Sequence, residues 1–146
     1  LVEEGHLRWD SLGEFCALGE SLIFASESLQ NRKSEILGRA VDAATEDILA
    51  HDKSPRRGVG ETDTRDSHFY FALYWARAVA AQTGDTEMAA KFAAMVTEIE
   101  SHERQILDEL ASTQGRPCEL GGYYKPNPNL VAKIMRPSAT FNRIIG

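Results

Sequence analysis

The chain has 146 residues, 42% of them hydrophobic and 26% charged, a composition typical of one globular domain and not of a disordered or fibrous chain. The net charge of -6 argues against a broad nucleic-acid surface, because such a surface needs a basic face and the basic residues here are local. No apolar run approaches the roughly 18 residues needed to cross a bilayer. We therefore expect no membrane association, a cytoplasmic location, and small anions or proteins as partners.

The two cysteines, Cys16 and Cys118, lie far apart and lack the spacing of metal ligands. We expect both to be buried, reduced thiols, without a disulfide or a zinc site. The chain begins with Leu1 and not with methionine, within a stretch of helical character, VEEGHLRW. We expect it to be a fragment of a longer protein.

The first predicted helix follows Asp10 or Ser11, either of which suits an N-cap. Glu14 lies three residues after Ser11, as in a capping box. Apolar residues then recur at helical spacing up to about Leu29, namely Leu12, Phe15, Cys16, Leu22 and Ile23.

A second helix is predicted from Ser34, which would cap it, to about His51. Its inward face would consist of Leu37, Ala40, Val41, Ala44, Ile48 and Leu49. Pro55 keeps Ser54 out of the helical region, so a loop begins there.

Between residues 54 and 82, a loop that begins at Ser54 and carries Arg56 and Arg57, here called the basic loop, is followed by the most aromatic segment of the chain. Asp66 or Ser67 would cap a third helix that runs from Phe69 to Gln82 and stops before Gly84. Its aromatic residues are Phe69, Tyr70, Phe71, Tyr74 and Trp75. A rigid helix that presents a basic loop is a common way to hold an anion.

Asp85 starts a fourth predicted helix, whose apolar residues recur every three or four positions until Gly115. The short break before it predicts an antiparallel pair with the third helix. Residues 121–128 are rich in Gly and Pro and should be extended, and short helices are predicted at 129–135 and 138–145, with Pro137 in an early helical position. The predicted fold is all-α or mainly α, an antiparallel array of four longer helices plus short C-terminal helices.

Arg56 and Arg57 stand beside a Gly-Val-Gly turn at residues 58–60. Arginines make paired, charge-assisted hydrogen bonds to phosphate, and glycines let backbone N–H groups approach it. A solvated turn with two surface arginines explains the same pattern. The turn matches neither a Walker loop nor a dinucleotide fingerprint.

Arg8, Trp9 and Asp10 bring a cation, a flat ring and a carboxylate together before a helix start. The set suits a nucleotide, with Arg8 on phosphate, Trp9 against a ring and Asp10 accepting from a hydroxyl. The alternative places Trp9 in the core, with Asp10 as an N-cap and Arg8 on the surface.

Complete catalytic constellations are missing from the sequence. Glu98 and His102 share a helical face, but no second pair completes a di-iron arrangement, and the acidic residues around them are typical of a solvated face. His68, at the start of the aromatic helix, suits a structural role. We predict no catalytic residue and no metal ligand in this chain.

Three stretches carry a more specific signal than any short motif: VEEGHLRWDSLGEF, KSPRRGVGETDTRDSHFYFALYWARAVAAQTGD, and GGYY followed by MRPSATFN. They resemble the C-terminal part of the monomeric type of NADP-dependent isocitrate dehydrogenase, over the whole chain. That family oxidatively decarboxylates isocitrate to 2-oxoglutarate and CO2, with Mg or Mn and NADP. The resemblance implies that residues 1–146 form one helical segment, which in the parent enzyme helps to complete a small α/β cofactor-binding domain.

The resemblance also implies roles for individual residues. Arg8 and Arg57 match two arginines that contact the 2′-phosphate of NADP, and Asp10 matches another cofactor-contacting position. The family's third contact, a histidine, falls upstream of Leu1, so His6 is not that residue. The isocitrate-binding and metal-binding motifs match nothing here, and we expect the upstream part of the enzyme to carry them.

Two further residues stand near the implied cofactor site. Trp9 adjoins both Arg8 and Asp10. Arg65 precedes Asp66, which stands where the family usually has glycine, and it serves either the structure of the loop or a weak cofactor contact.

The resemblance leaves two other interpretations open. The chain could be a free-standing helical interaction protein, for example a homo-oligomer that covers its own apolar surfaces. It could also be a module that senses NADP without chemistry. In both cases, as in the first, the chain alone would be inactive towards isocitrate.

Overall fold

A computed structural model describes all residues, 1–146, and contains seven α-helices and no strand. The helices are α1 (Leu12–Leu29), α2 (Arg32–Ala50), α3 (Thr64–Ala81), α4 (Thr86–Ser101), α5 (Glu103–Ala111), α6 (Pro128–Met135) and α7 (Ala139–Ile145). The predicted all-α class is confirmed. No helix is long and apolar enough to cross a membrane.

Consecutive long helices run antiparallel. Helix α1 packs closely on α2, where a side chain at Gly38 would come within 3.0 Å of the Gly19 carbonyl oxygen. Tyr70 reaches Glu103 and Arg77 reaches Glu100, so residue numbers rise along α3 as they fall along the facing chain. This contact order confirms the predicted antiparallel pairing of the third helix with the next one.

The core lies where α2, α3 and the α4–α5 pair meet. Its buried apolar residues are Phe15, Val41, Ala44, Ile48, Phe69, Phe71, Leu73, Tyr74, Ile99, Ile106 and Leu110. Phe15 of α1 stacks on Phe71 with 3.9 Å between ring centroids. The predicted inward face of α2 is correct except at Leu49, which is exposed.

Helix starts differ from the predictions wherever another polar residue caps better. Asn31, not Ser34, caps α2, since its side chain accepts from the N–H groups of residues 33 and 34. Asp63 caps α3, and Asp66 closes the capping box from the third helical position, so the helix begins earlier than predicted. The box expected between Ser11 and Glu14 does not form, because Ser11 makes no side-chain cap bond.

The fourth predicted helix is two helices, separated at His102. His102 has φ -113°, outside the helical range, and its Nδ1 lies 2.8 Å from the Glu98 carbonyl oxygen. Ser101 Oγ donates to the same carbonyl at 2.9 Å. Side chains that bond to a nearby backbone compete with helix continuation.

The C-terminal part contains the two predicted short helices, but the stretch before them is not extended as predicted. Gly121 and Gly122 have φ +74° and +132°, and the Asn127 N–H donates to the Leu120 carbonyl at 2.7 Å, so the stretch bends back into a closed loop. Pro128 occupies the first turn of α6, whereas Pro137 precedes Ser138, the cap of α7, so the helical position predicted for Pro137 is wrong. Glu109 of α5 anchors α7 by accepting from Ser138 Oγ at 2.6 Å and Thr140 Oγ1 at 2.7 Å. The Ser138 hydroxyl, with Thr140 and Gln105, lowers the pKa of Glu109 to about 2.

The cysteines are free, as predicted, but they are not both buried. Cys16 is exposed on α1 and Cys118 is partly buried. The N-terminal stretch is likewise not helical, because residues 1–5 form turns and residues 6–11 are irregular.

Candidate functional site

The candidate site is built on the extended segment at residues 6–10, which lies between the basic loop and the start of α3. Thr64 holds this segment by donating its N–H to the Leu7 carbonyl at 2.9 Å and its hydroxyl to the Trp9 carbonyl at 2.6 Å. The fully buried ring of His6 reaches the Arg56 carbonyl through Nε2 at 2.9 Å. Residues that are about 50 positions apart are thereby fixed side by side.

Arg8 and Arg57 meet at the exposed edge of this arrangement. Arg8 Nε donates to the Arg57 backbone carbonyl at 2.7 Å, and its Nη2 pairs with Glu4 Oε2 at 2.5 Å. The hydrogen bond and charge of Arg8 lower the pKa of the Glu4 carboxyl. The Arg57 guanidinium is exposed and makes no hydrogen bond or ion pair within the chain. Two cationic side chains therefore lie at one surface, an arrangement that suits a phosphate dianion.

The remaining parts of the basic loop are occupied by contacts within the protein. Arg56 forms an ion pair with Asp52. The N–H of Gly58 donates to Glu61 Oε2 at 2.8 Å, and the N–H of Gly60 donates to Gln114 Oε1 at 2.8 Å. The N–H groups of both glycines are thus used by contacts within the protein.

Trp9 and Asp10 flank the arginine pair on the protein surface. Trp9 is 61% exposed, so the alternative that placed it in the core is wrong. Its Nε1 donates to Glu14 Oε1 at 3.3 Å. Asp10 Oδ1 accepts from the Leu12 N–H at 3.1 Å, at the start of α1. Asp10 is exposed as well.

Arg65 differs from the other arginines in being only 4% exposed. It forms an ion pair with Asp63 and donates to the Gly5 carbonyl at 2.5 Å and the Ile134 carbonyl at 2.8 Å. It thus ties the N-terminal segment, α3 and α6 together. Of the two roles expected for Arg65, the geometry favours structure over cofactor contact, since the guanidinium is fully engaged by protein oxygens.

Asp66 shares this buried cluster and closes the cap of α3 by accepting the Asp63 N–H at 2.8 Å. Burial raises the pKa of Asp66 to about 6, although the backbone hydrogen bond opposes the shift. Asp66 therefore adds a negative charge to the cluster of Asp63 and Arg65 only above that pH.

A cleft of about 820 Å³ opens beside Arg8. It is bordered by Glu4 and Arg8 on one side and by Glu119 and Tyr123 on the other. Tyr123 and its neighbour Tyr124 are almost wholly exposed, at 94% and 95%. Of these two tyrosines, Tyr123 lines the cleft together with Arg8.

The structure contains no group of three or more His, Cys, Asp or Glu side chains that could hold a metal ion. His6 and His68 are both engaged in hydrogen bonds: His6 with Gln114 and Arg56, and His68 with the Thr64 carbonyl at 2.8 Å.

Sequence reasoning missed three residues of the site, Glu4, Glu61 and Gln114. Glu4 pairs with Arg8, and Glu61 and Gln114 hold the basic loop from inside. Gln114 lies 108 residues from its partner His6, and no local pattern marks such a contact. Only Glu4, four residues before Arg8, had a spacing that suggests an ion pair.

The structure is thus an all-α segment in which the Arg8 side chain contacts the backbone of a second exposed arginine, Arg57. A family model described as monomeric isocitrate dehydrogenase matches residues 1–146. The chain therefore belongs to the monomeric isocitrate dehydrogenase family. The resemblance found in the sequence motifs is thereby confirmed.

Individual relatives agree with this assignment. The NADP isocitrate dehydrogenase of Azotobacter vinelandii is 52% identical over 141 residues, which cover 97% of this chain and 19% of the relative. The NADP isocitrate dehydrogenase 2 of Mycobacterium tuberculosis is 47% identical over 142 residues, with the same two coverages. The chain spans about one fifth of the length of these relatives.

Proposed function

We propose that this chain supplies recognition of the NADP 2′-phosphate to an isocitrate dehydrogenase that oxidatively decarboxylates isocitrate to 2-oxoglutarate and CO2. The supporting observation is the hydrogen bond from the Arg8 side chain to the Arg57 backbone, which places two exposed arginines next to each other. The names of the relatives specify NADP. In this proposal residues 1–146 are one helical segment of the small cofactor-binding domain.

The discrimination expected from this pair follows from its charges. A hydrogen bond between charged groups contributes about 1.5–3 kcal/mol, which corresponds to a tenfold to more than hundredfold preference for NADP over NAD. Asp10 would accept from a ribose hydroxyl, and Trp9 would offer its exposed ring to an apolar surface of the cofactor. NADP, when bound, accepts the hydride, and the role of this chain is to bind and orient it.

The metal and the substrate belong to another part of the proposed enzyme. No residue cluster in this chain fits Mg or Mn, so we propose that the remaining part of the protein holds the ion together with isocitrate. The 146-residue chain alone is then expected not to turn over isocitrate. Turnover by the purified chain would contradict this part of the proposal.

The test is calorimetric titration with NADP and with NAD of the full-length protein encoded by the native reading frame. Arg57→Ala should raise the Kd for NADP by a factor of about ten to a hundred and leave the Kd for NAD unchanged. Arg39→Ala is a matched control, because Arg39 is an exposed arginine paired with Glu35 on α2. An unchanged preference for NADP in Arg57→Ala would refute the proposal, and NADP binding without isocitrate turnover by the wild type would favour a sensing module.

A second candidate function is self-association through α1. Phe24 and Leu29 on this helix are 69% and 74% exposed, and Leu18 and Cys16 are exposed as well. At about 100° per residue these four positions do not form one face of α1, so a second copy of the chain would bury only part of them. Light scattering of the 146-residue chain should then give a mass that rises with concentration and falls in Phe24→Ser, whereas a constant monomer mass would exclude it.

A further inference from the structure

The basic loop is closed on itself by backbone hydrogen bonds. The Arg56 N–H donates to the Thr62 carbonyl at 2.7 Å, and the Glu61 N–H donates to the Gly58 carbonyl at 3.1 Å. These bonds fix the shape of the loop, but they do not fix where the loop lies relative to Arg8. That placement depends on contacts with other parts of the chain.

Gln114, on the connection after α5, provides one such contact. Its Oε1 accepts from the Gly60 N–H at 2.8 Å, and its Nε2 donates to the Glu61 carbonyl at 3.2 Å. Gly60 has φ +87°, a conformation that favours glycine and that directs its N–H towards Gln114. The two bonds also determine the orientation of the amide, because one partner is a donor and the other an acceptor.

His6 provides the second contact and joins it to the first. Its Nδ1 lies 2.8 Å from Gln114 Oε1 and its Nε2 lies 2.9 Å from the Arg56 carbonyl oxygen. Both partners are acceptors, so a neutral ring donates to one of them and a protonated ring donates to both. The ring is fully buried, so these bonds are shielded from competing water. The Arg56 carbonyl belongs to the peptide bond that leads into Arg57, and the Arg57 carbonyl in turn accepts from Arg8.

We propose that His6 and Gln114 act as positioning residues for the 2′-phosphate site, a pair that we term the loop clamp. The clamp holds the backbone at residues 56–61, and with it the Arg57 carbonyl that accepts from Arg8. It touches no part of the cofactor itself. This inference rests on the proposed role of Arg8 and Arg57, and it adds that the preference for NADP is set partly by residues that do not contact the phosphate.

The experiment measures the Kd for NADP and for NAD by calorimetry in the full-length protein. Gln114→Met keeps the length of the side chain but removes both amide contacts, and it should raise the Kd for NADP about fivefold to tenfold with little change for NAD. Gln82→Met is the matched control, because Gln82 is also half-buried and also clamps a loop backbone, at Asp85, far from the site. Gln82→Met should leave both Kd values unchanged.

Two conservative variants of His6 separate the arms of the clamp. His6→Gln can retain a donor near the Nε2 position, towards the Arg56 carbonyl, whereas His6→Asn can retain one near the Nδ1 position, towards Gln114. His6→Gln should therefore preserve more of the NADP preference than His6→Asn. Equal losses of NADP preference in the two variants would contradict a positioning role for the contact between His6 and the Arg56 carbonyl. If a His6 variant does not fold, Gln114→Met still tests the clamp, because Gln114 is only half-buried.

The outcomes distinguish this inference from the proposed function. If Arg57→Ala removes the NADP preference but Gln114→Met does not, the clamp is refuted and the phosphate site stands. A parallel loss of affinity for NADP and NAD in Gln114→Met would also refute the clamp, since it would show a general structural role. If Arg57→Ala itself leaves the preference unchanged, both proposals fail.

Discussion

Arg57 and Arg65 lie eight residues apart in the same segment and are used in opposite ways. Arg65 is buried, and protein oxygens from Asp63, Gly5 and Ile134 surround its guanidinium. Arg57 is exposed and contributes only its backbone carbonyl, which accepts from Arg8. The protein oxygens around an arginine, more than the residue type or the local motif, therefore determine whether its guanidinium is bound within the fold or exposed to solvent.

The buried cluster also explains how the exposed pair is placed. Asp63 caps α3 and binds Arg65, and Thr64 holds the segment that carries Arg8. A rigid buried cluster thus supports an exposed pair that has few contacts of its own. Substitutions in the buried cluster should therefore change stability, whereas substitutions at the exposed pair should change ligand binding.

Removing the buried guanidinium should give the largest loss of stability. Arg65→Ala leaves the carboxylate of Asp63 buried and unpaired, and it should lower the free energy of unfolding by about 3–5 kcal/mol. Arg57→Ala is the control and should change that free energy by less than about 0.5 kcal/mol. Urea denaturation of both variants measures the difference, and equal effects would abolish the contrast between the two arginines.

Asp66→Asn tests the charge inside the buried cluster. Because the folded-state pKa of Asp66 is raised to about 6, its favourable contribution is complete below the ordinary value of 3.8 and is lost as the pH rises through about 6. Asparagine keeps the acceptor for the Asp63 N–H, so the variant should be more stable than the wild type by up to about 3 kcal/mol at pH 7 and equal to it near pH 4. Unfolding at several pH values measures this, with the exposed Asp108→Asn as control.

If Asp66→Asn is more stable than the wild type only at low pH, the pH dependence is opposite to the one expected. It would mean that the carboxylate is held charged by Arg65 and that burial is not the dominant influence.

Glu109→Ala tests whether a half-buried carboxylate that accepts several hydrogen bonds contributes to the stability of the fold. The loss of its hydrogen bonds to Ser138 and Thr140 should lower the free energy of unfolding by about 1–3 kcal/mol at pH 7. The pKa of Glu109 is lowered to about 2, so its contribution is present above the ordinary value of 4.5 and is lost as the pH falls through about 2. Thermal unfolding measures the change, and the exposed Glu87→Ala should have little effect.

Glu4→Gln, at the exposed arginine pair, should give the smallest effect of these substitutions. The Glu4 carboxylate pairs with Arg8 and would compete with a phosphate for the same guanidinium. Removing its charge should tighten NADP binding about twofold to fivefold and leave NAD binding unchanged. Calorimetry with Glu3→Gln as control measures this, and weaker NADP binding would mean that Glu4 orients Arg8 instead of competing for it.

Much of the fold could be predicted from local sequence patterns. The apolar spacing predicted α1, α2 and α3, and the Gly- and Pro-rich stretch predicted a connection without helix before α6, although that connection is a bent loop and not extended chain. The boundaries were less certain because several polar residues compete for each cap, as Asn31 and Asp63 do with Ser34 and Asp66. The break at His102 was missed because the apolar periodicity of α4 continues into α5.

For the candidate site, the sequence singled out Arg8, Trp9, Asp10, Arg57 and Arg65, and the structure separates this set. Arg8 and Arg57 lie together, Trp9 and Asp10 flank them at the surface, and Arg65 is buried away from solvent. Their contacts with NADP stay predictions. The supporting residues Glu61 and Gln114 were missed, since neither belongs to a motif.

By itself, the sequence determined the helical class, the approximate extent of the helices and the family to which the chain belongs. These properties depend on residue spacing within a few turns and on long motifs. Only the tertiary structure decided which arginine is exposed, which is bonded internally, and which distant side chains hold the basic loop. The physical reason is that burial and hydrogen bonding depend on partners such as His6 and Gln114, which lie far apart in sequence and meet only when the helices pack.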